Sequence, residues 1–405
     1  MMSADSNDTL SPQKPPKLLG YASSEIRNKH DSNRKNLPHP VELNALYSGI
    51  TRLITHLFLT DSPVINGRIA LPLLTFRPMK NELITYTQGI YAFDTGYLRP
   101  QLAAVHLIVH NGRVAFVDTG TYATLPLALM MLDSLGLPPN AVDYVILTHI
   151  HLDHAGGAGV MMNAFPSAQL VVHPRGAAHM SEPSKLMAGV EAVYGKERTH
   201  QLYGKLQPIA AERIIEAHDN TTLHLDDRAF LCIDTPGHAR HHIAIFDTQS
   251  KGIFTGDTLG ISYRELEVDG RPFLFPTTTP SQFDPIALRS SIERILALQP
   301  EAAYLTHFGR LPEPCRHAPE LLRRMDGFVE IAREEARKVG AGDTVTDALH
   351  AAISPKLRDY LLVEARAHGS RLSDTELTSI LDMDIDLNAQ GLALWARLAL
   401  PNATP

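Results

Sequence analysis

The stretch VILTHIHLDHAGG, residues 145–157, constrains the fold more than any other part of the chain. It places His149, His151, Asp153 and His154 within six consecutive positions, behind a β-branched apolar run and ahead of Gly156 and Gly157. Such a run of imidazole and carboxylate makes chemical sense only where the chain turns sharply. A strand ending at Leu147 or Thr148 delivers His149 and His151 from one loop, pointing the same way at i and i+2. Asp153 and His154 then open the next helix and face a second position, and the two glycines remove side chains where helix and loop must approach closely. Neutral imidazole and carboxylate are ligands that suit Zn, Fe or Mn. The bland alternative is a surface turn that collects histidines, in a chain with 20 His among 405 residues. Three histidines and an aspartate at this spacing, bounded by strand and helix, argue against it.

Three later pieces add to the pattern. DTPGHARHH places His238 after a Pro-Gly turn at the end of a strand, FTGDTLG places Asp257 after another, and YLTHFG places His307 after a third. Each candidate ligand ends a predicted strand, so all converge on one rim, where loops carry function on a rigid scaffold.

The rest of the chain supports such a scaffold. Residues 1–40 are rich in Ser, Asn, Lys and Pro and read as a disordered tail. Residues 41–81 form an N-terminal extension in which Leu43, Leu46, Ile50, Leu53 and Ile54 recur at helical spacing. Strand and helix patterns interleave over 82–312, with Asn111-Gly112 as a hairpin signal between two apolar runs. Two blocks of strands, each with helices, predict an α+β fold of two sheets packed face to face with helices outside. A helical insert before His238 carries Tyr194 and Tyr203, and the segment after Asp257 carries Tyr263, Arg264, Phe273 and Phe275, all candidates for substrate contact. Beyond Pro312 only helical patterns remain, so residues 313–405 read as a helical C-terminal extension that shapes the pocket or a dimer interface.

Composition excludes several function classes. The formal net charge is −7 and no Lys/Arg run reaches five residues, which argues against nucleic acid as a partner. Two cysteines, Cys232 and Cys315, cannot build a disulfide framework and fit a reducing compartment. The first residues have neither a basic n-region nor an apolar h-region. The longest apolar stretches fall far short of the ~18 residues of a membrane span. The expectation is a soluble, cytoplasmic protein with a small-molecule substrate and no membrane partner; a homo-oligomer is left open.

HxHxDH at 149–154, then PGH ending at His238, GD ending at Asp257 and a late histidine at His307 resemble the metallo-β-lactamase-fold superfamily of metal-dependent hydrolases, in its glyoxalase II/lactonase-like branch. The resemblance covers roughly residues 82–312, and its motif pieces in this order are highly specific. It implies a four-layer αββα sandwich with a binuclear site at its edge. Carried over residue by residue, His149, His151 and His238 hold a first metal, Asp153, His154 and His307 hold a second, and Asp257 bridges them. Asp118, in VAFVDTG, buttresses the metal loop. The chain departs from the family's commoner PGHTxGH, because His241 stands in place of the usual glycine. Of His241 and His242, one is expected to hold a ligand histidine in place, whereas His106 and His110 read as structural.

What the resemblance implies is two divalent metal ions, Zn first and Fe or Mn as alternatives. A metal-bridging hydroxide, oriented by Asp153 as catalytic residue, would cleave a lactone, thioester, lactam or phosphoester. A mononuclear-iron sulfur dioxygenase on the same fold is the second reading. A non-catalytic metal-binding module is the third, and the intact ligand set argues against it. Nothing in the sequence selects a substrate.

Overall fold

Near-continuous burial along the central strands, covered on both faces, explains the two sheets seen in the computed structural model, which describes residues 82–278, 280–339 and 345–399. The expected N-terminal tail and the helical spacing at Leu43–Ile54 lie outside the described residues. The first sheet holds β1 (Ile84–Thr85), β2 (Ile90–Asp94), β3 (Ala104–His110), β4 (Arg113–Val117), β5 (Val142–Ile146), β6 (Gln169–Val172) and β7 (Ile214–Glu216), side by side in sequence order. Among these strands run α1 (Leu125–Ser134), α2 (Leu152–Ala155), α3 (Ala158–Ala164), α4 (Pro174–Ser181), α5 (Ser184–Tyr194) and α6 (Lys196–Tyr203). The second sheet holds β8 (Thr221–Leu225), β9 (Arg228–Asp234), β10 (Ile243–Asp247), β11 (Gly252–Gly256), β12 (Ala302–Leu305) and β13 (Gly309–Pro312), in the spatial order β13-β12-β11-β10-β9-β8. The helices α7 (Pro285–Ala297), α8 (Pro314–Lys338), α9 (Val345–His368) and α10 (Asp374–Ala399) complete the chain.

The layers follow from which residues each strand turns to each side. Val105 and Leu107 of β3, with Val114 and Phe116 of β4, bury against Met131, Leu132, Met161 and Phe165 on the helical side. Ile108, Ala115, Val117 and Ile146 face the other way and meet Phe230, Cys232, Ile245 and Phe254 of the second sheet. Ala244, Ile253 and Ala303 on the far face of that sheet carry the last four helices. The result is the four-layer αββα sandwich. At the hairpin between β3 and β4, Asn111 and Gly112 adopt φ of 46° and 75°, as a two-residue primed turn requires.

Strand direction is what gathers the candidate residues. β4 and β5 run parallel in the first sheet. In the second, β9 and β11 both pair antiparallel with β10 and so run the same way as each other, and β12 is parallel to β11. The chain therefore leaves β4, β5, β9, β11 and β12 at strand ends that carry Asp118, His149, His238, Asp257 and His307 respectively.

The three last helices share one continuous core with the second sheet. Leu349, Ile353, Leu357 and Leu361 of α9 and Leu377, Leu381 and Ile385 of α10 recur at helical spacing and are buried in it. Phe273 and Phe275, expected to contact substrate, are fully buried in this core instead, because the loop that carries them fills the layer between sheet and helices. The short strand β13 was not anticipated from its Gly-Arg-Leu-Pro sequence. Among the described residues no helix is long and apolar enough to cross a membrane.

Candidate metal centre

Three imidazole nitrogens converge after β5 and β9. His149 Nε2 and His238 Nε2 lie 2.8 and 3.0 Å from His151 Nδ1. The sharp turn behind them depends on glycine: a Cβ on Gly157 would meet the backbone oxygens of Thr121 and Thr119 at 2.7 and 2.9 Å.

A second group forms beside the first. His307 Nε2 lies 3.4 Å and His154 Nε2 3.6 Å from Asp153 Oδ2. Asp257 stands between the two groups. Its Oδ1 lies 3.3 Å from His154 Nε2 and 3.7 Å from His307 Nε2, while its Oδ2 lies 3.4 Å from His238 Nε2. In each triad, His149/His151/His238 and Asp153/His154/His307, the donor atoms lie within 4.8 Å of one another. All seven residues singled out in the sequence are thus brought together.

The outer side of three of the rings is held. His154 Nδ1 faces Asp118 Oδ2 at 2.8 Å, His307 Nδ1 donates to the Leu102 carbonyl at 2.8 Å, and His238 Nδ1 lies 3.3 Å from the Thr277 carbonyl. A ring that donates from Nδ1 leaves the Nε2 lone pair free for a cation. Asp118 also accepts from the Thr148 N–H at 2.8 Å and from the Thr306 hydroxyl at 2.8 Å. One carboxylate therefore fastens the ends of β4, β5 and β12 and the start of α2. His242 accepts the Asp257 N–H on Nε2 at 3.2 Å, so its Nδ1 carries the proton towards Thr235 Oγ1 at 2.8 Å. His241 packs edge-on to His151 and stacks on His149, filling the space that the family's glycine would leave. Both histidines support the first triad.

The electrostatics suits positive charge at the centre. Burial and the neighbouring imidazoles hold His149 and His151 well below the ordinary imidazole range, and burial likewise lowers His238. These three are neutral donors. Burial would raise Asp153 and Asp257, but the imidazoles of His154 and His307, joined at Asp257 by His238, outweigh it and keep both carboxyls ionised. Burial opposes charge on His154 and His307 as well; the carboxylates around them prevail and raise both. Two polar atoms in the midst of this, His154 Nε2 and Asp257 Oδ1, are buried with no hydrogen-bond partner. Orphaned buried donors and acceptors are costly, and a bound divalent cation would satisfy them.

The surroundings hold residues that motif spacing could not supply. Asp384 of α10 accepts the Tyr263 hydroxyl at 3.1 Å, and Arg99 stacks over the Tyr263 ring at 4.3 Å. Burial pushes the Asp384 carboxyl up to about 7, against the lowering charge of His307. Asn388 of α10 bonds Thr278 through its side chain and its carbonyl, next to the Thr277 carbonyl that holds His238. Asp384 and Asn388 interrupt the apolar stripe of Leu381, Ile385 and Leu392, which was the only trace of them in the sequence. Of the other candidates, Tyr203 is buried against Leu152, with its hydroxyl 2.7 Å from that of Tyr97. Arg264 pairs with Glu267 and donates to the Arg310 carbonyl. His106 is buried between the sheets, as expected of a structural histidine, whereas His110 meets Asp227 at the surface.

Comparisons with known proteins agree with this geometry. The sequence profile of the Metallo-beta-lactamase superfamily matches residues 98–307. The Metallo-beta-lactamase fold-containing protein ST1585 of Sulfurisphaera tokodaii is 26% identical over 276 residues, covering 67% of this chain and 95% of that protein. Its structure superposes with a TM-score of 0.53 at 22% identity, covering 76% of this chain and 99% of that one. The metallo-beta-lactamase family protein TTHA1429 of Thermus thermophilus gives a TM-score of 0.53 at 20% identity, over 77% and 93% of the two chains. A hydroxyacylglutathione hydrolase of Xanthomonas campestris is 26% identical over 201 residues, covering 50% of this chain and 58% of that enzyme. With its profile match spanning half of the sequence, this chain belongs to the metallo-β-lactamase superfamily.

Proposed function

We propose that this protein is a metal-dependent hydrolase that cleaves an ester-like bond (lactone, thioester, lactam or phosphoester) in a small molecule. The observation that carries the reading is Asp257, whose two carboxylate oxygens each face a different histidine group. In this reading His149, His151 and His238 hold one divalent cation, Asp153, His154 and His307 hold a second, and Asp257 joins them. Zinc is the first candidate, with iron or manganese as alternatives. Such a pair supplies Lewis acidity and lowers the pKa of water towards about 7.

The chain's own residues do the rest. The side chains of Asp257, His154 and His238 are almost fully buried, which strengthens the charge interactions among them. Asp153 differs, because 24% of its side chain is open to solvent. Ionised and accessible, its carboxylate would orient the attacking water. Similarity to a hydroxyacylglutathione hydrolase favours hydrolysis over redox chemistry.

The test is elemental analysis of protein purified without chelator or metal-affinity tag, followed by lactone, thioester, lactam and phosphoester substrates. Two zinc or manganese ions per chain with turnover in one of these classes is the expected result. A single iron per chain with oxygen uptake on sulfur substrates would replace the hydrolase with a dioxygenase. Absence of stoichiometric metal would reject both.

A further inference from the structure

A cavity of about 570 Å³ lies between residues 281–287, the approach to α7 and its first turn, and the last turns of α10. That volume is in the range of small-molecule sites. Its lining joins two chemistries. Phe283 and Trp395 meet edge to face at 6.2 Å, and Ile286 and Leu398 beside them are 80% and 68% exposed. These two are the most exposed large apolar side chains among the described residues, and both line this one cavity.

The cationic part is Arg175, Arg240 and Arg333, against one acid, Asp284. Asp284 is already committed, since its Oδ1 accepts the N–H groups of Ile286 and Ala287 at 3.0 Å each. The guanidinium groups are not. Arg175 reaches only the Arg240 carbonyl, at 3.3 Å, and Arg240 has no carboxylate partner among the described residues. Arg333 stands 5.8 Å over the Trp395 ring, and its nearest acid, Glu330 at 3.8 Å, is held more closely by Arg337 at 2.7 Å. Underused guanidinium groups around an apolar floor are unusual on a chain whose net charge is −7.

The chain links the cavity wall to the candidate metal centre. Pro236 and Gly237 form part of its wall, and His238 follows directly. The Gly237 carbonyl accepts the Asp284 N–H at 2.8 Å, and Gln282 Oε1 accepts the Arg240 N–H at 2.7 Å. The loop that carries His238 and the loop that walls the cavity are thus laced together.

We infer that this cavity binds an organic anion, a carboxylate or phosphate carried on an apolar or aromatic body, as the part of the substrate remote from the bond that is cleaved. The guanidinium fork matches carboxylate and phosphate geometry, and the floor of Phe283, Trp395, Ile286 and Leu398 takes the apolar body. That the anion is a substrate rests on the hydrolase reading; that it binds does not.

Trp395 is the chain's single tryptophan, so fluorescence excited beyond the tyrosine absorption band reads this cavity. The full chain is titrated with phenylbutyrate and phenyl phosphate, and with phenylbutyramide as the neutral counterpart. The expected result is a saturable change with the anions, about tenfold weaker with the amide, and about tenfold weaker with the anions in Arg240→Gln. Arg240 is exposed, and an unchanged unfolding temperature would confirm that the variant folds. No saturable change, equal binding of acid and amide, or an unaffected Arg240→Gln would each overturn the inference. The titration needs no turnover, so a chain that binds the anions yet hydrolyses nothing overturns the hydrolase reading and leaves the cavity assignment standing.

Discussion

Asp118 Oδ2 lies 2.8 Å from Nδ1 of His154, and the same carboxylate receives Thr148 from the end of β5 and Thr306 from the end of β12. This one side chain decides which His154 nitrogen faces the centre and ties three strand ends to a common point. Asp118 itself sits at φ 59°, a conformation seldom adopted by residues other than glycine and held here by those contacts.

Asp118→Asn tests that relationship. The amide keeps the size but replaces one acceptor with a donor, so it cannot receive His154, Thr148 and Thr306 together. Metal affinity is expected to fall by about 10- to 100-fold while the fold persists. Titration against a competing chelator reads the effect, and an unchanged affinity would show that Asp118 does not position His154.

The two halves of the centre are separable by substitution. His238→Ala or His151→Ala removes a donor from one triad only and is expected to cost one metal ion per chain and all turnover. Asp257→Ala removes the oxygens that face both groups and is expected to weaken both ions together. Metal counting on the purified variants distinguishes these outcomes. Loss of a single ion from Asp257→Ala would show that it does not bridge.

The centre was readable in the sequence because its pieces are local. His149 to His154 come from one turn, and His238, Asp257 and His307 each follow a short apolar strand. Residues that act across the molecule were not readable. Asp384 and Asn388 reach Tyr263 and Thr278 only because α10 packs over the segment that follows β11, and no spacing along the chain encodes that docking. Phe273 and Phe275 looked like pocket residues for the same reason: an apolar loop residue becomes core only when helices cover it.

His106 links the interior to acid stability. It is buried against Phe254 and Tyr304, and burial lowers its pKa from 6.5 to about 4. The unfolded chain therefore binds this proton between those values while the folded chain refuses it. Its contribution is complete above pH 6.5 and is lost as the pH falls towards about 4. At about 1.4 kcal/mol per pKa unit, the loss is about 3 kcal/mol. His106→Leu removes this component, so denaturant unfolding at neutral and at acidic pH should show a flatter dependence in the variant. An identical pH dependence in both proteins would show that His106 is already accessible to protons.

Two substitutions separate what the C-terminal helices do for stability from what they do for the centre. Arg324 of α8 is buried, bonds Glu364 of α9 at 3.0 Å and donates to the Leu274 carbonyl at 2.6 Å. Arg324→Ala leaves Glu364 with fewer partners and is expected to cost about 3–5 kcal/mol, with metal affinity unchanged. Asn388→Ala strips the buried Thr278 N–H of its acceptor and leaves the Thr278 hydroxyl only the backbone carbonyl of residue 388, at about 1–3 kcal/mol. It also frees the segment whose Thr277 carbonyl holds His238, so metal affinity falls along with stability. The smaller stability loss should thus accompany the larger effect on metal binding. If both variants lost stability and neither changed chelator competition, α10 would serve only as packing for the segment after β11 and the neighbouring helices.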